Sequence, residues 1–425
     1  MIKKIKSTLK EKDSKVLLSN FSYLTVIELS NYILPFVAIP YIIRVIGVEK
    51  YGVIMFAYAV MIYFNIITNF GFRLLATKYI SMHRDNIQKV SKYYWTVLSS
   101  QILLLGLSIV TFIILLFSVP MFYEERYVFI YSFGMVIGNV IFPIWLFQGL
   151  EKMKYISIFN VANRLLYTLA IFVFINDVND YVLIPMINSI SFISIGVMSL
   201  IFIHRKFRIN FIKPAFAEMR LLFIEGWHLF LSTVANSLYT STNTVLLGFL
   251  TNYTVVGVFS IASTVSGAVT KIIKIYNTVT YPYMAKYSTD KTILVQKARA
   301  LLKFYVIVLM FVSMGVFFSA EMLITLLFGS GKEASVLILQ ILALTIIVEP
   351  LGGFFTPYLV IKNETKTVSK ITFFTMLVNF IFVIPMILLF QAVGMAITKL
   401  IVESFQVFMN VKYNKELVMP MKDKV

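Results

Sequence analysis

The sequence predicts an all-α integral membrane protein of about twelve transmembrane helices, arranged as two pseudo-symmetric six-helix bundles around a central cavity. Three observations carry that prediction. Apolar runs of about 20 residues, long enough to cross the roughly 30 Å hydrocarbon core, recur along all 425 residues. Only 14% of the residues are charged against 59% hydrophobic, with a mean hydropathy of +0.85, whereas soluble domains carry about 25% charged residues. Lys and Arg also collect in every second loop instead of spreading evenly.

The elements follow in order. A basic N-terminal arm, 1–16, contains Glu11, Lys12 and Asp13, and no small-residue cleavage pattern closes the first apolar run, so the arm is expected to be retained. Apolar runs near 17–43, 51–71, 93–118, 127–149, 155–175 and 181–203 form an N-terminal six-helix lobe, 17–203. The polar stretch 204–220 reads as a cytoplasmic linker. Six more runs near 221–250, 254–276, 302–328, 335–360, 368–390 and 392–411 form the second lobe, 221–411, and leave a tail, 412–425.

Orientation comes from the loops. The arm and alternate loops hold nearly all the cations, with Arg205, Lys206, Arg208, Lys213 and Arg220 in the linker alone. The intervening loops hold Arg44, Lys50, Arg126 and Lys332, together with Glu124, Glu125, Asp177, Asp180 and Glu333. Cytoplasmic loops attract Lys and Arg, so both termini and the linker are expected in the cytoplasm. That placement accounts for most of the net charge of +18 as topology and leaves no call for nucleic acid.

Several chemistries are excluded. The chain has no cysteine, which removes disulfides, thiol catalysis and thiolate metal sites, and its three histidines, His83, His204 and His228, are too scattered to form a metal centre. No phosphate-binding Gly-Lys-Ser/Thr loop occurs, so direct use of ATP is not expected. No cofactor is expected, and no soluble domain interrupts the spans to hold an active site. A transporter is therefore the expectation, and an enzyme is not.

The second half restates the first. Tyr51-Gly52-Val53 matches Val256-Gly257-Val258, Lys78-Tyr79 matches Lys286-Tyr287, Ser91-Lys92-Tyr93-Tyr94 matches Leu302-Lys303-Phe304-Tyr305, and Pro143 matches Pro350. Offsets of about 205 to 211 residues are nearly constant, as for two parallel bundles related by an axis along the membrane normal.

Ionisable groups inside a membrane cost about 2.5–3.5 kcal/mol each on insertion scales, so they normally face protein or a wet path. On the fifth span Asn160, Asn163, Arg164 and Tyr167 share one face. Glu28 and Asn31 share a face of the first span, and His228 and Asn236 belong to a polar stripe on the seventh, where Asn236 is the repeat partner of Asn31. Lys271 and Lys274 are neighbours on the eighth span, at a depth where the second carries Asn65 and Asn69; Lys399 and Glu403, one turn apart, can neutralise each other. A mostly cationic, amide-lined path points to an anionic cargo. Coupling to a proton or sodium gradient would need a titratable group, for which Glu28 comes first and Glu225 and Glu349 second.

The segment Pro143-Ile144-Trp145-Leu146-Phe147-Gln148-Gly149-Leu150-Glu151-Lys152-Met153-Lys154 resembles the signature of Wzx-type O-antigen and capsule flippases. These form the polysaccharide-transporter branch of the multidrug/oligosaccharidyl-lipid/polysaccharide (MOP) exporter superfamily. Asn20-Phe21-Ser22-Tyr23-Leu24, Asn31-Tyr32-Ile33-Leu34-Pro35, Arg44-Val45-Ile46-Gly47 with Tyr51-Gly52, and Gly71-Phe72 share that family's style. The resemblance implies a MATE-like fold and transfer of undecaprenyl-diphosphate-linked oligosaccharide units, for O-antigen or capsule, across the bacterial inner membrane to its periplasmic leaflet by alternating access. It also implies functional association with a polysaccharide polymerase and a chain-length regulator. Arg164, Lys271 and Lys274 would then meet the diphosphate, and the Asn and Ser stripes the sugar hydroxyls. The segment Trp145–Lys154 sits at a helix end and is expected to be structural. The competing expectations are a MATE-like exporter of another substrate and, more remotely, a membrane-embedded polymerase or glycosyltransferase.

Overall fold

The computed structural model describes residues 37–288 and 290–418. No strand occurs among the described residues, and nine of the helices are long and apolar enough to cross a membrane. By packing, the chain divides into two compact units, Met1–Ser241 and Thr242–Val425.

The first unit contains α1 (Val37–Asn69), α2 (Phe72–His83), α3 (Ile87–Ser118), α4 (Pro120–Glu124), α5 (Arg126–Ile141), α6 (Ile144–Gly149), α7 (Met153–Phe174), a 3-10 turn (Val178–Val182), α8 (Leu183–Phe207) and α9 (Phe216–Thr240). Within α1, Gly47 has φ 78°, a left-handed value that glycine adopts without penalty. It marks the break that the sequence places between its first two spans. The part of the first span before Val37 lies outside the described residues.

Helix α9 packs with this unit, so the division falls after Ser241 and not within 204–220. Gly226 of α9 is where the backbone of the α1–α2 junction comes close: a Cβ there would stand 2.9 Å from the Phe70 carbonyl oxygen. The Phe70 ring stacks on Phe230 at 4.4 Å between centroids. Glu218, in the first turn of α9 where a helix favours negative charge, pairs with Lys92 of α3. The stretch before α9 is tied to α3 as well, since Trp95 Nε1 donates to the Asn210 carbonyl at 3.0 Å and the Asn210 amide donates to Ser91 Oγ at 3.2 Å.

Three connections expected on the outer side meet at one end of this unit. Lys50 pairs with Glu125 at 3.2 Å, and Tyr181 Oη donates to the other oxygen of the same carboxylate at 2.7 Å.

The second unit contains α10 (Thr242–Leu250), α11 (Tyr253–Ala285), α12 (Lys291–Phe318), α13 (Ala320–Phe328), α14 (Glu333–Ile361), α15 (Thr365–Tyr413) and α16 (Lys415–Val418). Helix α15 is two helices meeting at Gln391, whose φ 50° and ψ −125° are non-helical. That break separates the expected spans 368–390 and 392–411.

The internal repeat is visible in local geometry. Asn86 caps α3 by accepting from the Lys89 amide, and Asp290 caps α12 by accepting from the Thr292 and Ile293 amides. Helix α6 ends in a Schellman motif, with Glu151 left-handed at φ 57° and the Lys152 amide donating to the Phe147 carbonyl at 2.8 Å. Helix α14 ends in the same motif, with Asn363 at φ 61° and the Glu364 amide donating to the Leu359 carbonyl at 2.9 Å. The two prolines behave differently. The chain breaks between α5 and α6 at Phe142–Pro143, whereas α14 runs on through Pro350 and Pro357.

Candidate functional site

The signature segment is built into the packing of the first unit. Trp145, Leu146 and Phe147 are buried in its core, and Gly149 lets α6 lie directly on α2, where an added Cβ would stand 2.7 Å from Ile80 Cβ. Arg73 Nε donates to Gln148 Oε1 at 3.2 Å, and Arg84 pairs with Glu151 at 2.7 Å. These residues clasp α6 to α2, a structural task.

Each unit carries its own polar interior. In the first, Asn139 Nδ2 of α5 donates to Asn65 Oδ1 of α1 at 2.8 Å, and Asn188 Nδ2 of α8 donates to Tyr58 Oη at 3.0 Å. Arg164 lies half-buried on α7, in electrostatic reach of Tyr58 and of Tyr167. Asn160 is half-buried and gives its amide to the Ile156 carbonyl at 2.9 Å, which ties that side chain to its own helix. Asn163 is buried, and its Oδ1 meets no hydrogen-bond donor among the described residues. This face of α7 offers one guanidinium among phenols and amides, a set suited to oxyanions and hydroxyls.

In the second unit, an ionic cluster stands beside the amides. Lys274 Nζ of α11 donates to Glu349 Oε1 of α14 at 2.6 Å, and Lys399 Nζ of α15 lies 3.0 Å from Glu349 Oε2. The carboxylate is the innermost member, with 18% of its side chain exposed against 42% for Lys274 and 32% for Lys399. One helical turn away Asn277 Nδ2 donates to the Pro350 carbonyl at 3.0 Å. Asn243 of α10 and Asn379 of α15 exchange two amide hydrogen bonds, 2.9 and 3.0 Å, both side chains being buried.

The sequence-derived candidates therefore fare differently. Lys274 and Glu349 come together, as do Arg164 and Tyr167. Lys271 is exposed on α11, three residues before Lys274. His228 and Glu225 are exposed on α9, in the first unit, with Glu225 electrostatically coupled to Tyr93. The backbone of Asn236 is helical, but its side chain lies outside what is described, and Glu28 and Asn31 lie outside the described residues altogether. Sequence reasoning missed Lys399 as a partner of Glu349, because it looked one turn along the same helix to Glu403. It also missed Tyr58, Asn139, Asn188 and the Asn243–Asn379 pair. The signal available was the repeat: Lys399 stands 211 residues after Asn188, and Lys274 stands 205 after Asn69.

Residues 17–288, well over half of the chain, match the family described as polysaccharide biosynthesis protein. A protein of Escherichia coli (strain K12) named "Putative O-antigen transporter" is 30% identical over 413 residues, covering 94% of this chain and 97% of its own. A Shigella dysenteriae protein of the same name is 25% identical, covering 90% and 96%. Among solved structures, the lipid II flippase MurJ in an inward closed conformation aligns with a TM-score of 0.71 at 15% identity, covering 94% of this chain and 89% of its own. An inward-facing MATE multidrug transporter of the MOP superfamily aligns with a TM-score of 0.68 at 14% identity, covering 94% and 99%. The all-helical fold is thus that of MOP exporters, and the chain, a multi-pass membrane protein, belongs to the polysaccharide biosynthesis protein family.

Proposed function

We propose that this protein is a flippase that carries undecaprenyl-diphosphate-linked oligosaccharide repeat units from the cytoplasmic to the periplasmic leaflet of the bacterial inner membrane by alternating access, with both termini in the cytoplasm. The observation that carries the reading is the placement of cations inside otherwise apolar helices: Arg164 among Tyr58 and Tyr167, and Lys274 with Lys399 around a single carboxylate. A charge kept within a membrane span at such cost is normally functional. A diphosphate needs ammonium or guanidinium partners, and sugar hydroxyls need amides such as Asn163. Likeness to the named O-antigen transporters over nearly the full length supports the cargo class.

Ion coupling fits this reading in a restricted way. Glu349 lies within ion-pair distance of two ammonium groups, so a sodium ion there would have to displace their charge. Any coupling at this residue runs through protonation or through exchange of its lysines.

The test is complementation of a flippase-deficient bacterium with surface polysaccharide as readout, at matched membrane expression. Wild type restores the polysaccharide, whereas Arg164→Ala and Lys271→Ala/Lys274→Ala lose it. Failure of a well-expressed wild type supplied with its matching repeat unit rejects the flippase; restoration by every variant keeps the flippase and rejects these cations.

A further inference from the structure

The second unit's ionic cluster is not demanded by the packing of its helices. At the repeat-related places in the first unit stand Asn69 for Lys274, Phe142 for Glu349 and Asn188 for Lys399, offset by 205, 207 and 211 residues. All three are neutral: Asn69 gives its amide to the Asn65 carbonyl of its own helix, Phe142 is apolar, and Asn188 donates to Tyr58 Oη of α1. The helices of the second unit nonetheless carry three charges, although replacing a buried ion pair by neutral groups is often neutral or stabilising.

The arrangement of those charges is specific. One carboxylate lies inward, one oxygen accepting from Lys274 and the other 3.0 Å from Lys399, while both lysines stay more exposed than the carboxylate between them. The cluster keeps a net charge of +1, from Lys274, Lys399 and Glu349. Two ammonium groups a few ångströms apart are a ready anion site, and lysine is a point charge on a flexible stem that changes partner easily. Glu349 already fills that site.

An incoming anion must take the lysines from Glu349. A singly charged head, such as the phosphodiester of a bulk phospholipid, offers the same charge as the carboxylate. Its entry exchanges like for like and strands Glu349 without a partner, which is costly in a low-dielectric surrounding. A head with two or more negative charges attracts both ammonium groups more strongly than the carboxylate does and can offset that cost.

We propose that Glu349 is a built-in competitor anion: it withholds Lys274 and Lys399 from singly charged lipid phosphates and yields them to a multiply charged phosphate head. This rests on the flippase reading, because it assigns the cargo's diphosphate to these two lysines. Glu349 thereby sets selectivity by charge, in a membrane where singly charged phosphates outnumber the cargo.

The test compares geranylgeranyl diphosphate with phosphatidylglycerol as ligands of the full-length purified protein, by native mass spectrometry in mixed micelles. Wild type is expected to prefer the diphosphate by about tenfold or more, a difference of about 1.4 kcal/mol. Glu349→Gln narrows the ratio by gaining phosphatidylglycerol, and Lys274→Gln/Lys399→Gln weakens the diphosphate alone. Should Glu349→Gln fold poorly, Glu349→Gln/Lys399→Gln removes one charge of each sign and must still gain phosphatidylglycerol relative to Lys399→Gln, which keeps the carboxylate. A wild type without preference, or carboxylate-free variants that keep the full wild-type ratio, overturns the proposal. Complementation by wild type separates the two readings: restored polysaccharide with an unchanged ratio in Glu349→Gln removes only the charge filter, whereas lost complementation removes the flippase.

Discussion

Asn243 and Asn379 present their amides to each other in opposite directions, each donating to the other's oxygen, and so join α10 to α15 within the second unit. Both are buried, and each satisfies a group that would otherwise be stranded in an apolar interior. Asn379→Leu leaves Asn243 unsatisfied and is expected to cost about 1–3 kcal/mol. Asn243→Leu/Asn379→Leu should recover part of that loss, read as the thermal midpoint in detergent. A double variant no more stable than Asn379→Leu alone would contradict it.

The contact of Gly149 with Ile80 leaves no room for a side chain. Gly149→Ala is expected to cost about 1–3 kcal/mol by overpacking. Glu151→Gly, two residues on, should act the other way. It relieves a left-handed glutamate at φ 57° and loses an ion pair with Arg84 that is about half exposed on both sides and contributes little. Thermal melts of the two variants should move in opposite directions.

Gln391 occupies the conformation of the first central residue of a type II′ turn, where glycine dominates. Gln391→Gly is expected to stabilise by about 1 kcal/mol. Close by, a Cβ on Gly394 would overlap the Met386 carbonyl oxygen at 1.8 Å, so Gly394→Ala should abolish the hairpin and with it membrane accumulation of the protein. Normal accumulation of Gly394→Ala would show that the two halves of α15 are not held this closely.

Lys362, just beyond α14, pairs with Glu416 at 2.7 Å and Glu364 at 3.1 Å. Burial works to lower its pKa, but the two carboxylates outweigh burial and hold the ammonium above lysine's usual value. A raised folded-state pKa adds stability that is full below the unfolded value of 10.5 and is lost as pH rises through the folded one. The thermal midpoint should therefore fall in that alkaline range for wild type, and Lys362→Gln should flatten the fall. Equal alkaline slopes in the two proteins would refute the assignment.

Much of the helical plan was legible because apolar length and turn residues are local signals. The division at Gln391 and the repeat follow from them, and the Asn86 and Asp290 caps show the same local logic. What stayed hidden is whatever depends on which helix faces which. Periodicity gave Lys399 a face but not its neighbour, so the residue one turn on, Glu403, stood in for Glu349 across the interface. Pro143 and Pro350 carry the same local signal with different outcomes, because a proline ends a helix only where its surroundings do not hold the backbone on course. Docking of α9 on Phe70 and Gly71 likewise depends on the left-handed residues at that junction, which apolar patterning does not report.

The matched helix ends at Glu151 and Asn363 bear on descent. Both halves turn at the same place with the same left-handed residue and the same long amide bond, yet one uses an asparagine that tolerates the turn and the other a glutamate that does not. Backbone shape has outlasted residue identity between the two copies. A search for further duplicates of this module would do better to follow the turn than the letters that spell it.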